Sequence, residues 1–307
     1  MKSPNSRIEV LKTIPPDGKE DRLPEAHDLR LSLTRFAFQT LGQVFSTKMS
    51  ELAYRIFATP RWRAQHLRED AIIQSAKKWD FVFRDFKVKV YEWGNPDDRI
   101  VLLAHGWESR GTALRMYVKP LLAQGFRVVA FDSLGHGDSE GKRNNLSTNA
   151  KLMADIVHHY GGIYGCIGHS FGCSSLVYML QHVDNQLVVE RVVFLAVPHG
   201  IKKIVDDYFV FLKVPKRVQH VFYKTIENIN SRPIDELDVA TAHASVKVGK
   251  LLLIHDRFDD VTSLDAAERV VERWGNSHLI ITEGYGHFRL AKNPDVIGRI
   301  VEFIAQL

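Results

Sequence analysis

Ser170 stands at the centre of Gly168-His169-Ser170-Phe171-Gly172, a G-x-S-x-G spacing. A serine held in a sharp turn, with glycines two residues away on either side, is lifted out of the fold where it can attack a carbonyl. Its hydroxyl is a poor nucleophile until a neighbouring base takes the proton. That base in turn needs a carboxylate to fix its tautomer and stabilise the imidazolium. Among the 14 histidines, His287 is the candidate base: it sits in EGYGHFRL between glycine-rich turns and a closing helix. His255 and His278 read as strand-end residues, and His158 and His159 lie side by side on a helix. Asp256, Asp259 and Asp260 all follow the apolar run LLLIH, and residue types alone leave the choice among them open. Five residues rich in Gly and Ser describe a plain turn as readily as a site, so the flanking elements decide.

Residues 163–167 form a short apolar run before the turn, and residues 174–183 carry apolar side chains at helical spacing behind it. This is strand, sharp turn, helix. In chain order, residues 86–90 alternate as a half-exposed strand near a sheet edge, and residues 100–106 are a continuous apolar run, as in a strand buried on both faces. A helix over 112–123 ends at Gly125, and a second buried strand over 126–131 leads into Asp132-Ser133-Leu134-Gly135-His136-Gly137-Asp138-Ser139. A helix over 152–160 and a strand over 191–197 follow, and then the rhythm stops over residues 199–248. It resumes with a strand over 250–255, a helix over 263–274, a strand over 279–282 and a helix over 294–305. Strand and helix in alternation predict a parallel α/β sheet with right-handed crossovers. In such sheets sites lie at the carboxyl ends of the strands, where Ser170, His287 and the three aspartates all fall.

The remaining composition excludes more than it proposes. The chain has 307 residues, 45% hydrophobic, with 41 Lys and Arg against 36 Asp and Glu. The cations are scattered and no nucleic-acid motif is present, so nucleic acid is not an expected partner. Two cysteines, Cys166 and Cys173, make no disulfide framework and read as small core residues. Residues 135–142 lack phosphate-loop spacing and no His/Cys pair has zinc spacing, so neither metal nor cofactor is expected. No signal-peptide core or 18-residue apolar run is found, which makes a cytoplasmic protein the expectation. Residues 1–28 read as a loosely held tail. In residues 29–59, Leu33, Ala37, Leu41, Val44, Phe45, Met49, Leu52 and Ile56 approach a helical stripe that Gly42 breaks into two helices. Such a stripe is expected to pack on its own domain or a second subunit, forming a homodimer, in preference to a membrane surface.

Taken together, His105-Gly106-Trp107, the Asp132 to Ser139 loop, Gly168 to Gly172 and the late Asp and His loops make the chain resemble the α/β-hydrolase fold family over residues 80–307. The resemblance implies an α/β-hydrolase fold with residues 1–79 as a tail and helical extension, and a helical lid inserted at about 199–249. It implies hydrolysis of a small-molecule ester or thioester through an acyl-enzyme, with Ser170 as nucleophile and His287 as base. The family pattern selects Asp259 as the acid, three residues after Asp256. It places the oxyanion hole on the backbone N–H groups of Trp107 and Phe171, with His105 holding the loop. An aspartate at position 170 would imply epoxide hydrolase or dehalogenase chemistry; serine argues against both. Residues 28–80 are similar to the helical preamble of a group of bacterial hydrolases of undefined substrate. A relative of this fold that only binds a small molecule or partner, or a membrane-surface lipase or acyltransferase, is the alternative. Within the lid, Ile204, Tyr208, Phe209, Phe211, Leu212, Val218 and Phe222 recur near helical spacing and are expected to line an acyl pocket or else to fill core.

Overall fold

The computed structural model describes residues 7–11, 29–65 and 70–306. Nine strands among them form one sheet: β1 (Ile8–Val10), β2 (Lys77–Phe83), β3 (Phe86–Trp93), β4 (Arg99–Ala104), β5 (Phe126–Phe131), β6 (Gly165–His169), β7 (Val188–Leu195), β8 (Lys247–Asp256) and β9 (Ser277–Thr282). The order is β1-β9-β8-β7-β6-β4-β5-β3-β2. All neighbours from β1 to β5 pair parallel, and β5–β3 and β3–β2 pair antiparallel. The helices are α1 (Leu29–Leu41), α2 (Ser46–Phe57), α3 (Ala71–Gln74), α4 (Val118–Ala123), α5 (Leu146–His159), α6 (Phe171–Tyr178), α7 (Ile201–Leu212), α8 (Lys216–Asn230), α9 (Asp265–Arg273), α10 (Gly286–Arg289) and α11 (Pro294–Ala305). No described helix is long and apolar enough to cross a membrane.

The chain divides into two compact units, one built from Met1–Asp17, Pro60–Pro198 and Val239–Leu307, the other from Gly18–Thr59 and His199–Asp238. The first holds the whole sheet. Its central strands are apolar on both faces and buried from Ile100 to Ala104 in β4 and throughout β6, as the continuous apolar runs required. Side-chain caps start α3, α5 and α11. The Asn145 side chain accepts from Thr148 N at 2.8 Å to start α5. Asn293 accepts from the N–H groups of Asp295 and Val296, at 2.7 and 3.1 Å, and Pro294 occupies the first position of α11, where its missing donor costs nothing.

The sheet is wider than the sequence pattern predicts. β1 lies within the expected tail and pairs with β9 through Ile8 and Leu279; three residues are too short to show a period. β2 pairs along its full length with β3, so residue 80, the expected boundary, falls inside a strand. The helix expected over 112–123 is instead a tight turn of 3-10 helix, Gly111–Tyr117, running into α4. Its cause is local: Gly111 N donates to the buried Asp132 carboxylate at 2.6 Å, and a Cβ at Gly111 would stand 2.7 Å from the Phe131 carbonyl.

The second unit is helical. Gly42 separates α1 from α2, and a side chain there would meet the Pro215 ring at 2.8 Å. α2 packs on α8 through aromatic side chains: Phe57 lies 5.2 Å from Tyr208 and 5.7 Å from Phe222, and Phe222 lies 5.1 Å from Phe209. The Tyr208 hydroxyl donates to the Ala53 carbonyl at 2.7 Å. Phe209, Leu212, Val218 and Phe222, expected to line a pocket or fill core, thus form the buried core of this unit. The stripe expected to be buried across residues 33–56 is a different case. Of its members only Met49 is fully buried, and the helices bury Phe38, Met49 and Ala53, while Leu33, Leu41, Val44 and Phe45 are exposed. Phe38 lies about half a helical turn from Leu33 and Phe36, and it is the Phe38 side of α1 that is buried while theirs is exposed.

Candidate active site

Ser170 joins β6 to α6 with φ 49° and ψ −114°, a strained conformation outside the regions open to L-residues without cost. The glycines around it are demanded by contact. A Cβ on Gly172 would lie 2.8 Å from the Ala104 carbonyl carbon and 3.0 Å from the His105 oxygen, and one on Gly168 would lie 3.0 Å from Cys173 N. The turn is fixed on both sides, since Ser170 N donates to the Leu195 carbonyl and Cys173 N to the Ser170 carbonyl, both at 2.9 Å. Ser170 itself is half-buried at the carboxyl end of the sheet. Phe171 opens α6, so its N–H belongs to the first turn, which has no intrahelical acceptor and carries the positive end of the helix dipole.

Trp107 follows β4, and its ring stands edge-on to the Phe171 ring at 5.4 Å, so the two residues meet beside the serine turn. His105 is a brace. Its Nδ1 lies 2.7 Å from the Gly106 carbonyl and its Nε2 accepts Ser133 N at 3.0 Å, tying the Trp107 loop to the loop after β5. The next residue, Glu108, has φ 55° and is held by Arg61, whose Nη2 lies 2.7 Å from Oε2 and whose backbone N–H donates to Oε1 at 2.7 Å. The Asp132 loop is also structural. The buried Asp132 carboxylate accepts from Gly111 N, Asp138 N and the Tyr91 hydroxyl at 2.6, 2.8 and 3.0 Å. Burial, together with the charge of Asp132, pushes the Tyr91 phenol far up.

The three aspartates at and just after the end of β8 separate cleanly. Asp259 is buried, and its Oδ2 lies 2.8 Å from His287 Nδ1. Its Oδ1 accepts the N–H groups of Val261 and Thr262 at 2.9 and 2.8 Å. The Thr262 hydroxyl lies 3.1 Å from Oδ2 and 3.3 Å from His287 Nδ1. Burial alone would raise the Asp259 carboxyl, but the hydrogen bond and charge of His287 and the Thr262 N–H outweigh it and hold it below the ordinary carboxylate range. Asp256 ties down the loop that carries His287, accepting from Gly284 N, Tyr285 N and the Thr282 hydroxyl at 3.2, 2.9 and 2.8 Å. Asp260 is exposed.

His287 is buried and is the second residue of α10, after two glycines with positive φ, Gly284 and Gly286. It is brought to the serine turn by His169, the residue before Ser170. His169 Nε2 lies 2.9 Å from the His287 carbonyl, and the two ring centroids are 4.8 Å apart. Burial, with His287 beside it, lowers the His169 pKa to about 3, so the ring is neutral and donates from Nε2. His255, also buried, has Nε2 2.8 Å from the Thr262 carbonyl and 3.6 Å from Asp259 Oδ2. Thr262 and His169 escaped the sequence reading as supports of the site, since their types carry no spacing signal, and Asp256 entered it only among the candidate acids; the fold gives each its place. Among the described residues no group of three or more His, Cys, Asp or Glu side chains could hold a metal ion.

Comparison with known proteins points the same way as the fold. The model of the alpha/beta hydrolase family matches residues 101–299. Over 111 residues the chain is 32% identical to the bifunctional esterase/perhydrolase DCH of Acinetobacter calcoaceticus, covering 35% of this chain and 40% of that protein. Over 126 residues it is 32% identical to the soluble epoxide hydrolase of Corynebacterium sp. strain C12, covering 40% of this chain and 42% of that one. The chain thus spans about two fifths of the length of these relatives. The esterase Pf2001 of Pyrococcus furiosus superposes with a TM-score of 0.56 at 21% identity, covering 79% of this chain and 97% of that structure, a likeness of fold.

Proposed function

The chain belongs to the alpha/beta hydrolase family, and from that premise we propose that it is a serine hydrolase that cleaves carboxylic ester or thioester bonds through an acyl-enzyme. The observation that supports this most is the buried 2.8 Å contact between His287 Nδ1 and Asp259 Oδ2 beside a serine with φ 49°. With Nδ1–H committed to Asp259, Nε2 is the nitrogen left to accept the Ser170 proton as the hydroxyl attacks the carbonyl. The imidazolium so formed keeps its proton to pass to the leaving alkoxide or thiolate. Asp259 remains ionised throughout, in keeping with its lowered pKa. Water then attacks the acyl-serine with His287 again as base, and the acid product leaves.

The tetrahedral oxyanion is to be received by the backbone N–H groups of Phe171 and Trp107. The first lies at a helix N-terminus, and such a donor is typically worth about 3 kcal/mol. Trp107, Phe171 and the exposed Phe288 surround the turn with aromatic surface, which suits an apolar acyl or alkyl group. The relatives named esterase and epoxide hydrolase share the family, but a serine nucleophile suits an acyl carbonyl. Turnover of p-nitrophenyl acetate and a short-chain acyl thioester by the full chain tests the reading. Activity should fall by on the order of 10⁴ or more in Ser170→Ala, and a folded protein inert to both substrates would defeat the proposal.

A further inference from the structure

Within the helical unit, α1 carries two apolar faces. Phe38 lies on the buried one, whereas Leu29, Leu33 and Phe36, spaced i, i+4, i+7, share the opposite face and are exposed, Phe36 by 65%. The same unit adds more exposed apolar side chains at its loops and at the end of α7: Val44 is 74% exposed and Val210 78%, with Phe45 and Phe211 also exposed. These groups adjoin one another. Arg35 on α1 donates from Nε to the Phe211 carbonyl at 2.8 Å with its guanidinium 5.2 Å from the Phe211 ring, and Arg217 Nη1 reaches the Gln43 carbonyl at 3.3 Å. Scattered apolar residues on a surface need no explanation; a second, outward apolar face on one helix, continued by a neighbouring helix end, marks a contact surface.

Charge decides what it contacts. Residues 29–50 contain Arg30, Arg35 and Lys48 and no carboxylate; residues 208–226 contain Lys213, Lys216, Arg217 and Lys224 and no carboxylate. The acidic side chains of α7 lie before that stretch, at Asp206 and Asp207, paired with Lys202 and Lys203. Protruding Leu, Val and Phe side chains framed by cations are the composition of a helix that lies in the interface of an anionic bilayer. A second copy of the chain would set cations against cations in a symmetric pairing. We propose that the exposed face of α1, with the end of α7, docks on the surface of anionic lipid bilayers. This proposal stands apart from the hydrolase reading.

The test uses the full chain and flotation with vesicles of phosphatidylcholine alone or of equimolar phosphatidylcholine and phosphatidylglycerol. Binding is expected to the anionic vesicles, to weaken with added salt, and to fall at least about tenfold in Phe36→Ser/Val210→Ser and in Lys213→Glu/Lys216→Glu. Unchanged thermal melting of both variants shows that the fold is kept. The proposal fails if the full chain stays in solution at lipid excess or if both variants bind as the parent does. It fails equally if sedimentation shows a dimer that Phe36→Ser/Val210→Ser dissolves and vesicle binding is absent.

Discussion

Asp259 Oδ2 lies 2.8 Å from His287 Nδ1 with both side chains out of solvent, while the adjacent Asp260 is exposed. Only the first carboxylate can fix the imidazole tautomer. Asp259→Asn is therefore expected to lower kcat on a p-nitrophenyl ester by on the order of 10⁴, and Asp260→Asn to change it less than about twofold. Steady-state rates of the two variants, compared at matched folded fraction, check the assignment; equal losses would overturn it.

The serine turn is set by clearance as much as by hydrogen bonds. Gly172→Ala would press a methyl group against the Ala104 and His105 carbonyls, which the sheet holds in place. It should cost at least about 1–3 kcal/mol and lower the urea midpoint. Gly298 in α11 is exposed and has nothing within 4 Å of a built Cβ. Gly298→Ala should raise stability by about 0.5–1 kcal/mol, so the two alanines are expected to act in opposite directions.

Two buried histidines are expected to make the fold acid-sensitive. Burial holds His136 and His169 near a pKa of about 3, helped by the neighbouring His105 and His287 respectively. In the unfolded chain each titrates near 6.5. As pH falls from about 6.5 towards 3, the unfolded state takes up protons that the folded state refuses, and stability is lost throughout that window. At pH 5 the loss is about 2 kcal/mol per histidine. Asp259, with its folded pKa depressed, contributes stability above its unfolded value that goes only as pH falls through the folded one. Urea midpoints at pH 7 and 5 should show the loss, and it should shrink in His136→Gln; a midpoint equal at both pH values would contradict it.

The sheet and the site differ in how far the residues alone reveal them. Continuous apolar runs announced β4, β5 and β6 because strands buried on both faces have no polar positions to fill. β1 and β2 stayed hidden, the first because three residues show no period, the second because Trp79, Phe81 and Phe83 alternate with mixed neighbours at an edge. The outward face of α1 was misread for a related reason. Apolar spacing reports that a face exists and not which of two faces is covered. Motif and order anticipated the sharp turn at Ser170 and the pairing of Asp259 with His287, whereas Thr262 and His169 make contacts between segments 25 and 118 residues from His287.

The central claim is that Ser170 is a nucleophile with its base and oxyanion donors already assembled. A fluorophosphonate probe reacts irreversibly with such a serine and needs no knowledge of the substrate. The account predicts one adduct per chain, located on Ser170 by peptide mass spectrometry, absent in Ser170→Ala and strongly reduced in His287→Ala. A folded protein that takes up no label, or takes it up equally without His287, would contradict it.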